Sequence, residues 1–238
     1  MDLKERSSVD PWTHWYYLTK LNAIRQHVAG LGYEMTRVLD VGAGSGFFSL
    51  ALTRERPDAV VTCVDPNYRD DELGERGRAV FVRVADPQSV GRADTMLFID
   101  VLEHVEDDQS LLRHYVDLAP PGCVVVVSVP AFMSLWSPHD DFLEHRRRYR
   151  LSDVVRVVRE SGLEVIEARY LFGVILPVVW TVRRLRRGRA AASDLRPTPR
   201  LLNRILIATV SWEHRHLRNR LGGLSAFVVA EKPVRAAD

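Results

Sequence analysis

Residues 38–46 read Val-Leu-Asp-Val-Gly-Ala-Gly-Ser-Gly and run directly into an apolar stretch from Phe47 to Leu52. A short apolar strand that ends near an acid, a turn with glycine at every second place, and the start of a helix leave few folds open. Glycine is required where the backbone takes positive φ or where a ligand must approach the main chain. Two other glycine codes fail on spacing. The dinucleotide fingerprint needs a third glycine three positions after the second, and that place is Phe47. A phosphate-cradling loop needs Gly-Lys-Ser/Thr, which does not occur here.

The rest of the chain alternates strand and helix patterns. An aromatic-rich amphipathic segment over 12–30 predicts a covering helix. Strands are expected at 37–41, 59–64, 80–84, 95–99 and 123–129, and helices at 45–56 and 108–118. Continuous apolar runs such as Cys123 to Val129 suit strands buried on both faces, and strand–helix alternation predicts a parallel, doubly wound α/β sheet. Leu151-Ser152-Asp153 opens a further helix with a serine cap and a stop at Ser161-Gly162. Residues 164–170 and 224–230 complete seven strands, separated by about fifty residues of a different character.

Acids mark the strand ends. Asp40, Asp65, Asp86 and Asp100 each fall at or just after one, where ligands sit in open α/β sheets. Asp65 follows Gly42 by 23 residues, close to the spacing at which an acid accepts hydrogen bonds from ribose hydroxyls. The set Asp40-x-Gly42-x-Gly44-x-Gly46 resembles the first motif of class I S-adenosylmethionine-dependent methyltransferases. Asp100-Val101-Leu102-Glu103-His104-Val105 resembles a second phrase of their small-molecule members. The resemblance implies a seven-stranded Rossmann-like sheet and S-adenosyl-L-methionine as cofactor, with S-adenosyl-L-homocysteine as product. It implies cofactor contacts at Asp40, Gly42, Gly44, Gly46, Asp65, Pro66, Asp100, Val101 and Leu102. Asp86 matches the acid near the adenine amino group, with a helix cap as the competing role. Tyr16 or Tyr17 matches a partner of the methionine carboxylate, and Lys20 stands about where an arginine is usual. Glu103 is expected to pair with a neighbouring base or cap the next helix, and His104 to face the site.

Ser128-Val129-Pro130 through Trp136-Ser137-Pro138-His139-Asp140, followed by Glu144-His145-Arg146-Arg147-Arg148-Tyr149, resembles one bacterial branch of the family. Its members occur in polysaccharide, lipid-linked sugar and antibiotic pathways. The resemblance covers roughly residues 12–170. Methyl transfer needs an aligned nucleophile, exclusion of water and often removal of a hydroxyl proton. Histidine titrates in the right range, so His139 and His145 are candidate bases beside His104, with Asp140 orienting or ligand-binding. Arg147 and Arg148 could clamp an anionic group, and Trp136 and Tyr149 are candidate acceptor contacts. A loop network that only shapes the pocket is the alternative for each. His139 and Asp140 are not a metal-ligand set, and no Cys/His cluster completes one, so no metal is expected.

From Leu171 to Val210, apolar runs alternate with Arg183, Arg184, Arg186, Arg187, Arg189, Arg196, Arg200 and Arg204. Residues 171–221 are therefore expected to form a helical basic insert in a domain made of 1–170 and 222–238. A lid whose apolar face packs on the domain is one role. An interfacial anchor over 171–210 on an anionic membrane is the other. A net charge of +2 gives no global argument for nucleic acid as a partner. Cys63 and Cys123 sit in strand-like runs, as small buried side chains do. A cytoplasmic setting follows, with the inner membrane face as its variant. The expected activity is methyl transfer to oxygen on a small, sugar, nucleoside or lipid-linked acceptor. A fold repurposed for another reaction and a membrane adaptor are the alternatives. Oligomeric state is not encoded legibly.

Overall fold

In the computed structural model, residues 9–29, 32–33, 35–185, 190 and 192–234 are described. The arginines at 186, 187 and 189 lie outside them. The apolar runs form the strands β1 (Arg37–Val41), β2 (Val60–Val64), β3 (Gly74–Arg76), β4 (Ala79–Val82), β5 (Thr95–Ile99), β6 (Val124–Pro130), β7 (Glu164–Leu171) and β8 (Ser225–Glu231). They join in one sheet in the order β3-β4-β2-β1-β5-β6-β8-β7. Strands β4, β2, β1, β5 and β6 run parallel. Strand β8 inserts antiparallel between β6 and β7. The expected α/β sheet is present, with one strand more than predicted. Strand β3 reads Gly-Glu-Arg, is exposed throughout, and pairs antiparallel with β4 at the sheet edge. It carries no apolar pattern, which is why the sequence conceals it.

Helices cover both faces. On one lie α1 (Trp15–Ala29), α2 (Phe47–Leu52) and α8 (Arg200–His216). On the other lie α3 (Pro87–Gly91), α4 (Asp108–Leu118) and α6 (Leu151–Glu160). The short α5 (Pro138–Leu143) follows β6, and α7 (Leu176–Leu185) follows β7. Alternation along a single strand feeds two cores. Val124 and Val126 of β6 join Ile24, Phe47 and Phe227 on one side. Val125, Val127 and Val129 join Leu112, Val116 and Val158 on the other. Each such side chain contributes about 1.5–3 kcal/mol on full burial.

Local chemistry sets the helix ends. Asp86 caps α3, accepting from the Ser89 N–H at 2.9 Å ahead of Pro87. Asp107 caps α4 through Ser110 N–H at 2.9 Å. The serine cap expected for α6 is replaced by Asp153, which accepts from Arg150 N–H at 3.0 Å, while Ser152 lies inside the first turn. Helix α8 lies on α1 and completes it. The Asn203 Oδ1 accepts from Trp15 N–H at 2.9 Å, and its Nδ2 donates to Thr13 O at 2.9 Å. Both cysteines are buried and unpaired, and burial pushes each thiol up to about 12. Among the described residues no helix is long and apolar enough to cross a membrane.

His214 of α8 is buried edge-to-face on Phe172, with ring centroids 5.6 Å apart. Burial, with His27 and Arg169 nearby, lowers its pKa from 6.5 to about 4. Its neutral form therefore stabilises the fold fully above pH 6.5, and that contribution is lost as pH falls through about 4. Chemical denaturation at pH 7.5 and pH 4.5 is expected to give a lower unfolding free energy at the acid pH. Replacing His214 by Leu should shrink that difference by about 2 kcal/mol.

Candidate functional site

The strand order reverses between β1 and β5, and a cavity of about 950 Å³ opens there, beyond their carboxyl ends. Its floor begins at Gly42. Positive φ at Gly42 and the Val101 side chain explain the glycine: a Cβ would stand 2.5 Å from Val101 Cγ2. Gly46 also has positive φ and starts α2. Asp40, fully buried, accepts from Ser49 Oγ at 2.6 Å, which ties the turn to α2. Burial raises its carboxyl pKa to about 6. Asp40, Gly44 and Gly46 shape the turn and do not line the cavity.

Asp65, Pro66 and Asn67 form the wall at the end of β2. Asp65 Oδ2 accepts from Gly44 N–H at 3.1 Å, and Oδ1 accepts from Asn67 N–H at 2.9 Å. Each oxygen keeps a further lone pair for a ligand hydroxyl. Asp86, in contrast, is spent as the exposed cap of α3 and lies outside the cavity. The competing role named above is the observed one.

At the end of β5, Asp100 takes positive φ of 56° and meets Lys20, whose Nζ donates to Oδ1 at 2.8 Å and Oδ2 at 2.5 Å. Lys20 is wholly buried and also stands 5.0 Å from the centre of the Tyr16 ring. Burial alone would lower the ammonium pKa, but Asp100 outweighs it and the net shift is upward. Tyr16, Tyr17, Asp100 and Val101 all reach the cavity. Leu102 does not: it sits in the core, and its carbonyl accepts from Tyr149 Oη at 3.0 Å.

Glu103 neither pairs with a base nor caps a helix. It is fully buried, lines the cavity, and neither carboxylate oxygen has a hydrogen-bond partner among the described residues. Burial, with Asp100 beside it, raises its pKa well above the usual range. His104 follows on the same wall.

The segment after α5 is clamped onto this turn. Arg146 N–H donates to Glu103 O at 2.8 Å and its Nε to His104 O at 3.1 Å. Arg147 donates to Val105 O at 3.1 Å and Glu106 O at 2.6 Å. Tyr149 Oη shares its one proton between Asp108 Oδ2 at 2.6 Å and the Leu102 carbonyl. Trp136 Nε1 is spent on Asp141 at 2.9 Å. The expected acceptor contacts Trp136, Arg147 and Tyr149 thus hold backbone and loop together and do not line the cavity.

Asp140 is the centre of a buried network. Arg148 donates from Nε at 2.7 Å to Oδ1 and from Nη2 at 3.0 Å to Oδ2, while His145 Nδ1 lies 2.8 Å from Oδ1. A carboxylate partner calls for the proton on Nδ1, which leaves Nε2 as the ring's acceptor. Burial would raise the Asp140 pKa; His145 and Arg148 outweigh it and hold the carboxyl well below the usual range. Asp140 itself is off the cavity, while His139, His145 and Arg148 line it. Burial lowers the His139 pKa to about 4, and its Nδ1 accepts from Asp194 N–H at 3.2 Å.

Helix α7 supplies an apolar roof through Val178, Val179 and Val182. Arg183 at its end pairs with Asp194 at 3.2 Å and donates to Leu135 O at 3.0 Å. These two were not picked out as site residues in the sequence. The surplus of arginine after an apolar helix was their only signal.

A family described as a methyltransferase domain matches residues 12–168. An uncharacterized methyltransferase of Mycobacterium sp. (strain KMS) is 32% identical over 113 residues, 45% of this chain and 44% of that protein. A ubiquinone biosynthesis O-methyltransferase of Bordetella avium (strain 197N) is 32% identical over 127 residues, 48% of this chain and 52% of that protein. The chain thus spans about half the length of these relatives. Among solved structures, the phosphoethanolamine N-methyltransferase 2 of Haemonchus contortus in complex with S-adenosyl-L-methionine aligns over 90% of this chain and 52% of that one, with TM-score 0.56 and 16% identity.

Removing the centre of the Asp140 network leaves Arg148 buried without a counter-charge. Asp140→Ala is expected to lower the unfolding free energy by about 3–5 kcal/mol, read by urea denaturation at neutral pH.

Proposed function

This chain belongs to the methyltransferase-domain family, and from that premise we propose that it transfers a methyl group from S-adenosylmethionine to an oxygen of a small acceptor. The observation that carries the reading is the convergence of Gly42, Asp65 and Asp100 on one cavity at the point where the strand order reverses. The donor set fits the cofactor: Asp65 suits ribose hydroxyls, the turn at Gly42 leaves backbone accessible, and Tyr16 lies near the buried Lys20–Asp100 pair, where the methionine end belongs. When bound, the cofactor supplies a sulfonium-activated methyl carbon. The acceptor hydroxyl gives up its proton, the O–CH3 bond forms as the S–CH3 bond breaks, and a neutral thioether leaves. The polar corner of Glu103, His104 and His145 is where the hydroxyl would dock and be deprotonated. Alignment and exclusion of water do the rest.

The apolar side of the cavity argues for an acceptor with hydrocarbon or aromatic surface. Val178, Val179 and Val182 face the cavity, so α7, within the basic segment expected at 171–221, serves as a lid. The outer surface supports a second role for the same segment. Trp180, Leu185, Leu201, Ile205 and Trp212 are exposed among Arg184, Arg200, Arg204 and Arg215, a combination that suits the surface of an anionic membrane. A cytoplasmic protein visiting the inner membrane face to reach a lipid-linked or lipophilic acceptor fits both roles.

Calorimetry with S-adenosylhomocysteine tests the cofactor reading. Binding is expected, and Asp65→Ala should weaken it about 10- to 100-fold, the worth of hydrogen bonds to a charged group. No binding by the unaltered protein would remove the reading. For the membrane, flotation with phosphatidylcholine vesicles containing phosphatidylglycerol should carry the protein upward, and Leu201→Asp with Ile205→Asp should abolish this. Equal flotation of both forms would count against membrane contact through α8.

A further inference from the structure

Three acids and two bases gather at and behind the inner corner of the cavity, where Asp100, Glu103 and Arg148 line it. Lys20 is committed to Asp100, and Arg148 to both oxygens of Asp140. Glu103 lies between these pairs, fully buried, with both carboxylate oxygens lacking hydrogen-bond partners among the described residues. A buried group in that condition in an otherwise satisfied network points to something that binds it.

Its neighbours define what. The Glu103 carboxylate and the rings of His104 and His145 each bring a ligand atom to one place, all within 4.8 Å of one another. The two rings cross at 79° with centroids 4.8 Å apart, so they converge edge to face and do not stack. His145 is also held as metal-binding histidines are held: its Nδ1 is on a buried carboxylate, Asp140, at 2.8 Å, an arrangement that fixes the tautomer and leaves the other nitrogen for an ion. The backbone of Glu103 and His104 is pinned by Arg146. The site is therefore built on fixed elements.

We propose that Glu103, His104 and His145 bind one first-row divalent cation of the zinc or iron(II) class. Two imidazoles and a carboxylate match the ligand preference of such ions, whereas magnesium and calcium favour all-oxygen sets. Three protein ligands leave a position open toward the cavity. A hydroxyl there becomes more acidic, because the ion stabilises its conjugate base. This deepens the methyl-transfer reading by naming what makes the acceptor hydroxyl acidic enough to release its proton to water, and it favours acceptors with an oxygen able to reach the ion. No sequence spacing announced the site, because its residues come from two segments some forty positions apart.

The test is a Co2+ titration of the full chain after treatment with a chelator, followed by visible absorption, with Zn2+ competition. A single saturable site per chain is expected. Glu103→Gln and His104→Ala should each weaken it by at least about tenfold, the loss seen even for outer partners of metal ligands. Circular dichroism checks that these variants fold. Crystals of the unaltered protein soaked in Co2+ give a variant-free readout, in which the anomalous peak should fall between the three side chains. No saturable Co2+ or Zn2+ binding, affinity unchanged in both folded variants, or a peak elsewhere overturns the proposal. S-adenosylhomocysteine binding on the same samples separates the two readings. Retained nucleoside binding without the cation site overturns this inference alone, and the cation site without nucleoside binding supports it while contradicting methyl transfer.

Discussion

Parallel strands cannot follow one another directly, so the chain must cross over a face of the sheet each time. After β1 it builds outward through β2 and β4, then returns to place β5 on the other side of β1. Neighbouring crossovers there diverge to opposite faces, α2 to one and α3 to the other. Everything at the site follows from that geometric necessity. The loops after β1, β2 and β5 deliver Gly42, Asp65 and Asp100 to one opening, and the later segments have only to wall it in.

The walls are made by buried charge and not by apolar contact alone. Lys20 fastens α1 to the end of β5, and Arg148 fastens the segment after α5 to Asp140. Such pairs contribute little net stability over an apolar substitute, but losing one partner is costly. They favour one arrangement over its near neighbours. The arginines at 146 and 147 act in the same sense, binding the carbonyls of residues 103–106. The two sequence phrases that resemble family signatures are thus two halves of one contact.

Much of this was legible from local pattern. Strand ends could be located because apolar runs stop at acids, and glycine spacing excluded two ligand classes before any geometry was known. Features that depend on tertiary pairing were not legible. Strand β3 has no apolar residue to announce it. Asp86 could not be told from a ligand-binding acid until Ser89 was seen to donate to it. Arg147 and Tyr149 are chemically suited to an acceptor, and only the fold shows that backbone carbonyls and Asp108 occupy them. Glu103 is the clearest case. A glutamate in Leu-Glu-His gives no sign that the bases around it are already committed elsewhere.

The central claim is that a nucleoside lies across the ends of β1, β2 and β5. It is tested most directly by crystals grown with S-adenosylhomocysteine. The account predicts density for the adenosyl group along the cavity floor, with the ribose hydroxyls hydrogen-bonded to Asp65 and the amino-acid end near Tyr16. Density for the nucleoside at any other surface, with the floor between Gly42 and Asp65 vacant, would contradict it.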